Sequence, residues 1–137
     1  MTDAKPKLLV TRKLPDAVLE HAERHYDASL NADDVPHGPE QLVALGADMD
    51  GILAAPGDSL TTQVIEGLDD SVRIITIFSV GYEHIDTDAA KTRGITITNT
   101  PGVLTESTAE IAMLLLLGAA RRASEGDALV RAGGWHG

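Results

Sequence analysis

The sequence predicts an α/β fold: a flavodoxin-like, doubly wound parallel sheet of five strands. Three observations carry this. Short aliphatic runs of strand length (LLV, GILAA, RIITIF, ITIT) recur through the first part of the chain. Between them lie stretches whose apolar residues fall at helical spacing. Proline, glycine and aspartate mark the junctions. Strands alternating with helices imply crossover connections, right-handed by rule, and a sheet covered on both faces.

Leu8, Leu9 and Val10 form the first expected strand. Pro15 suits the opening of a helix, where its missing amide would be unpaired in any case. Ala17, Val18, His21 and Ala22 then share one helical face. Residues 26–30 are read as the second strand, and NADDVPHGPE as a loop punctuated by proline and glycine. Leu42, Val43 and Leu45 suggest a short helix ending at Gly46, and residues 50–55 a third strand stopped by Pro56 and Gly57. Val64, Ile65 and Leu68 share a helical face. Residues 73–78 form a continuous apolar, β-branched strand, the pattern of a strand covered on both sides. Asp86 is placed to cap a helix over 87–93 that Gly94 ends, and residues 95–98 form the fifth strand. A long helix follows from Ser107, whose S-x-x-E spacing with Glu110 is a capping box. From Ile111 to Ala120 it is apolar or glycine at every position, so something must cover it all round.

The 137 residues carry 21 acidic and 11 basic side chains, a formal net charge of −10. That balance argues against nucleic acid or anionic membranes as partners, since both demand positive charge. No cysteine is present, which excludes disulfides and thiolate catalysis. The first residues lack the apolar core of a signal peptide, and the longest apolar run is shorter than the roughly 20 residues that span a bilayer. A cytoplasmic protein is expected. No metal-ligand set stands out.

In open parallel sheets ligands sit beyond the carboxyl ends of the strands. Two such ends carry turn chemistry: Ala55-Pro56-Gly57 and Ser79-Val80-Gly81. Glycine at 81 permits close approach to the backbone and unusual dihedrals, and successive free amides in such a turn make an anion-binding concavity. A plain tight turn accounts for the same residues equally well. His84 reads as a turn histidine, because no nucleophile or carboxylate stands at a catalytic spacing from it.

The run FSVGYEHIDTDAAKTRGITITNTPGVLTESTAEIAMLLLLGAARR resembles the signature of the D-isomer-specific 2-hydroxyacid dehydrogenases. The opening, LLVTRKLPDAVLEHAERHYDASL, resembles their glyoxylate and hydroxypyruvate reductase branch. The resemblance implies that residues 1–100 are a flavodoxin-like substrate-binding domain, with the amides of Val80 and Gly81 offered to a substrate carboxylate and Ala55 and Pro56 lining the pocket. It implies that residues 101–137 begin a Rossmann cofactor domain, opened by the helix that starts at Ser107 and closes at Arg122. That helix would also pair with a second subunit in a homodimer. Thr108 would lie near the cofactor, NAD or NADP; a first-turn capping role explains it equally well. The partner would be a small 2-oxo or 2-hydroxy acid.

The resemblance also implies what to miss. Family members run to more than twice this length. G-x-G-x-x-G does not occur, and no two glycines are separated by one residue. The family's catalytic arginine, glutamate and histidine would lie beyond the point matching Gly137, so no catalytic residue is expected here. Arg121 and Arg122 are expected near a helix end, where positive charge is favourable. The expected function is the substrate-binding half of an NAD(P)-dependent oxidoreductase, inactive by itself. The alternatives are a non-catalytic flavodoxin-like binding module and a dimerisation module. A receiver module would need acidic residues after the first strand, where Thr11-Arg12-Lys13 stand instead.

Overall fold

Each aliphatic run becomes a short strand because its alternate side chains are buried between the sheet and its covering helices. A computed structural model describes residues 4–136. Met1–Asp3 and Gly137, at the ends of the two expected domains, lie outside the described residues. Strands β1 (Lys7–Val10), β2 (Asp27–Leu30), β3 (Gly51–Ala54), β4 (Ile74–Ile77) and β5 (Thr96–Thr98) pair in the order β2-β1-β3-β4-β5. Every pairing is parallel, and this order is the flavodoxin-like one. The register sets Ile52 of β3 beside Leu9 of β1 and Ile75 of β4.

The helices between strands are α1 (Asp16–His25), α2 (Pro39–Leu45), α3 (Thr62–Gly67) and α4 (Thr87–Thr92). Local chemistry starts several of them. The Gly38 amide donates to Gln41 Oε1 at 2.9 Å, and Pro39 opens α2. Asp86 caps α4, accepting from the amides of Asp88 at 3.1 Å and Ala89 at 2.9 Å. Gly94 follows with φ +69°, a backbone conformation that favours glycine. Arg93 then reaches back to α3. Its Nη1 donates to the carbonyls of Ile65, Glu66 and Leu68 at 2.8–3.0 Å, and its Nη2 to Asp70 at 2.8 Å.

The two faces are covered unequally. Leu9, Ile52, Ala54, Ile75 and Ile77 pack with Leu42, Val64, Ile65 and Ala90 from α2, α3 and α4. Burying each leucine, isoleucine or valine of this set contributes about 1.5–3 kcal/mol. On the other face Leu8 and Val10 pack with Leu14, Ala22 and Ala55 beside α1. Complete burial of residues 73–78 does not hold: Ile74 is 40% and Phe78 41% exposed. Among the described residues of the first unit, the helix on their face is α1, and it packs over β1 and β2.

The chain divides into two compact units, Met1–Pro101 and Gly102–Gly137. The second holds α5 (Thr105–Ala120) and α6 (Ala123–Arg131), and neither helix buries a residue. The capping box at Ser107 and Glu110 is not realised. The helix begins at Thr105 behind Leu104, with no side-chain cap, so both residues lie inside it. Nor does it run through Arg122. It ends at Ala120; Arg121 is its C-terminal cap, and Arg122, at φ 52°, turns the chain into α6 and pairs with Glu125. The apolar side chains of α5 from Ile111 to Leu117 are more than half exposed. Among the described residues no helix is long and apolar enough to cross a membrane.

Candidate functional site

The carboxyl ends of β1, β3 and β4 lie side by side, and buried polar groups fix them there. The Thr11 amide donates to Leu53 O at 3.1 Å, closing β1 onto β3. Asp58, 2% exposed, accepts from the Thr11 hydroxyl and from the Ala55 amide at 2.9 Å. Its own amide donates to Ala55 O at 3.2 Å, so Ala55-Pro56-Gly57-Asp58 is a closed turn. Gly57 sits at φ +101°, and a Cβ placed there would stand 3.3 Å from Arg12 Nη1. Arg12 is held by Asp34: Nε donates to Oδ1 at 2.8 Å, and this bond raises the guanidinium above its ordinary range. The same bond, with the Lys13 amide, pulls Asp34 below the usual carboxylate range.

The turn after β4 begins where the Phe78 amide donates to Ala54 O at 2.8 Å. Its next three carbonyls are all occupied. Ser79 O accepts from the Thr100 amide at 3.0 Å, Val80 O from Asn99 Nδ2 at 2.8 Å and Gly81 O from Ser79 Oγ at 2.6 Å. Among the described residues the amides of Val80, Gly81 and Tyr82 donate to no internal acceptor. Gly81 does not use its dihedral freedom, since its φ lies outside the left-handed region. What it supplies is space: a Cβ there would stand 2.6 Å from Glu83 Oε2.

Residues beyond the turn tie it to the loop after β3. The Leu60 amide donates to His84 O at 3.1 Å, and the Asp86 amide to Leu60 O at 2.9 Å. The Thr62 hydroxyl donates to Asp86 Oδ2 at 2.5 Å. That hydroxyl, then the amides of Ala89 and Asp88, hold Asp86 below the usual carboxylate range. His84 is half-buried, and its Nε2 is enclosed without a hydrogen-bond partner.

Of the residues singled out in sequence, the structure places Ala55, Pro56, Val80 and Gly81 together at the ends of adjacent strands. Thr108 lies in the second unit, in the first turn of α5, its amide donating to Leu104 O at 2.9 Å. Arg12 and Asp58 were missed by sequence reasoning. The only local signals were an aspartate two residues after Pro56 and a cation two residues after β1, and neither names its partner. Cavities of about 350 and 420 Å³ open between α2 and α3, and none of residues 55–57 or 79–81 lines them. Among the described residues no group of three or more His, Asp or Glu side chains is disposed to hold a metal ion.

A dinucleotide does not fit these strand ends. Its pyrophosphate needs a strand-to-helix turn with glycines one residue apart, opening directly into a helix. Here β1 leads to α1 through Thr11–Pro15 without glycine, and the turns after β3 and β4 carry single glycines several residues before α3 and α4.

Known proteins share this arrangement of elements. The family model described as D-isomer specific 2-hydroxyacid dehydrogenase, catalytic domain, matches residues 8–133. The chain is similar to the glycerate dehydrogenase of Hyphomicrobium methylovorum, 38% identical over 98% of this chain and 42% of that protein. It is 40% identical to the glyoxylate reductase of Korarchaeum cryptofilum, over 96% of this chain and 39% of that one. The crystal structure of the NADPH-dependent glyoxylate/hydroxypyruvate reductase of Sinorhizobium meliloti, in complex with NADP and malonate, matches with a TM-score of 0.78 at 30% identity, over 96% of this chain and 40% of that one. The chain thus spans about two fifths of the length of the curated relatives it matches.

Proposed function

The chain belongs to the D-isomer specific 2-hydroxyacid dehydrogenase family, and from that premise we propose that it is the substrate-binding part of an oxidoreductase that reduces 2-oxo acids, glyoxylate or hydroxypyruvate foremost. The observation that carries this reading is the turn after β4, where the amides of Val80 and Gly81 have no internal acceptor. A substrate carboxylate accepts from such amides in charge-assisted hydrogen bonds, and Ala55 and Pro56 form the wall beside it. Residues 1–100 are in this reading the substrate domain. Residues 101–137 begin a cofactor domain whose first helix, α5, places Thr108 toward the dinucleotide and pairs with a second copy.

The reaction needs a nicotinamide dinucleotide, NAD or NADP, which supplies the hydride. The strand ends of this chain do not provide the turn that holds it. The chain's own contribution is to bind and orient the acid. The 137-residue chain is therefore expected to show no turnover of glyoxylate with NADH or NADPH above a protein-free control. A second reading, a non-catalytic flavodoxin-like binding or dimerisation module, draws on the exposed apolar side chains of α5.

Glyoxylate titration of the ¹⁵N-labelled chain separates the two. The amide resonances of Val80 and Gly81 are expected to shift with saturable, millimolar affinity. Gly81→Val should weaken that affinity by about tenfold or more while the fold survives, because the flexible Glu83 tip can move away from the new side chain. Wild-type affinity in the variant, or glyoxylate shifts confined to other residues, would reject the carboxylate site.

A further inference from the structure

The turn after β4 leaves its amides unpaired while one backbone amide and two side chains hold its carbonyls. A peptide unit is planar and trans, so the carbonyl of one residue and the amide of the next point in opposite directions. Fixing a carbonyl therefore aims the following amide. Ser79 O is held by the Thr100 amide at 3.0 Å, which turns the Val80 amide away from residues 99–100. Val80 O is held by Asn99 Nδ2 at 2.8 Å, which turns the Gly81 amide away from Asn99. Gly81 O is held by the Ser79 hydroxyl at 2.6 Å, which fixes the Tyr82 amide in the same manner. Three successive peptide units are thus locked. Of the three donors, two are side chains with no other hydrogen bond among those of the described residues.

We propose that Asn99 and Ser79 are positioning residues for the carboxylate-binding turn, and that the Tyr82 amide is a third donor beside those of Val80 and Gly81. This rests on the reading of the turn as a carboxylate site. The two side chains never touch the acid; they preset the amides so that no peptide unit has to rotate on binding. Glu83 is the charged group nearest the turn, and it bears on how strongly an anion binds there but not on which way the amides face.

The test is a glyoxylate titration of the complete, ¹⁵N-labelled 137-residue chain. In wild type the Val80, Gly81 and Tyr82 amides are expected to respond together. Asn99→Ala and Ser79→Ala should each weaken binding about five- to tenfold, the loss of one oriented charge-assisted donor, with little change in thermal midpoint. The loss should be residue-specific. Asn99→Ala should diminish the response of Gly81 first, and Ser79→Ala that of Tyr82. Ser79→Thr, which keeps the hydroxyl, should bind within about twofold of wild type. A merely structural role would not produce that pairing of side chain with amide. If the variants fold and bind as wild type, the positioning role is wrong while the carboxylate site stands. If the wild-type amides of 80 and 81 ignore glyoxylate, the carboxylate reading itself fails. Should Asn99→Ala not fold, the contrast between Ser79→Ala and Ser79→Thr decides, because the hydroxyl is the only group that separates them in hydrogen bonding.

Discussion

Asp58 stays buried at 2% exposure because two donors meet its carboxyl group, the Thr11 hydroxyl and the Ala55 amide. Replacing it by alanine strands the Ala55 amide in a water-poor corner, at about 1–3 kcal/mol for a buried group left unpaired, while the Thr11 hydroxyl keeps the Leu53 carbonyl at 3.2 Å as an acceptor. Asp58→Ala is therefore expected to lower the unfolding free energy by about 1–3 kcal/mol in urea titration, and Thr11→Val by about 1 kcal/mol. Asp86 gives a pH-dependent expectation. Hydrogen bonds from Thr62, Ala89 and Asp88 lower its folded-state value. A depressed carboxyl contributes stability that is fully present above the unfolded value, about 3.9, and is lost as pH falls through the folded one. The thermal midpoint of wild type should thus exceed that of Asp86→Ala clearly at pH 7, with the gap narrowing below about pH 4. An unchanged gap at pH 3 would show that the shift is not linked to folding. The cap at Asp86 was legible in sequence because its partners are two and three residues away. Asp58 and Arg12 were not, because Thr11 and Asp34 reach them from other parts of the chain. Of the two reasons for a glycine at 81, the unusual dihedral is not used, and the space beside Glu83 is.

Among the elements, the strands were the most legible, since a β-branched run between turn residues has few other uses. Their observed bounds differ from the expected ones by a single residue at the ends. The helices were legible where a cap or glycine punctuates them and less so elsewhere. Ser107 and Glu110 have capping-box spacing, yet helical residues begin two positions earlier at Thr105, because Thr105 and Glu106 fit a first turn equally well. The break at Arg122 carries no glycine or proline, so neither it nor α6 could be anticipated. Arg93 shows how one element finishes another. Its guanidinium holds three carbonyls at the end of α3 and the carboxylate of Asp70. An ammonium brings its three N–H groups on one nitrogen, so it cannot meet the carbonyls gathered on Nη1 and also Asp70 on Nη2. Arg93→Lys is expected to cost about 2 kcal/mol in urea unfolding and Arg93→Ala somewhat more. Equal stability of wild type and the lysine variant would mean that the fork geometry contributes nothing.

For the whole molecule, the largest unexplained surface is α5, whose Leu114, Leu115 and Leu116 are 64%, 67% and 62% exposed. With a net charge of −10 opposing self-association, only a specific apolar contact would bring copies together through that helix. Under the association proposed above, Leu115→Lys with Leu116→Lys should shift sedimentation toward monomer while leaving the unfolding of residues 1–101 unchanged; a monomeric wild type at high concentration would reject it. The strand order has a further consequence, in time. The centre of the sheet joins Leu8 to Gly51, the most distant pairing in the sequence, whereas β1 with β2, β3 with β4 and β4 with β5 join closer segments. Closing that loop costs entropy before its contacts return any stability. During synthesis the first strand therefore emerges long before the neighbour that locks it, and its aliphatic edge is bare in the interval. Refolding should be slow for a domain of this size, and the segment from Lys7 to Val10 is where a nascent chain is most open to capture by chaperones or by another unfinished copy.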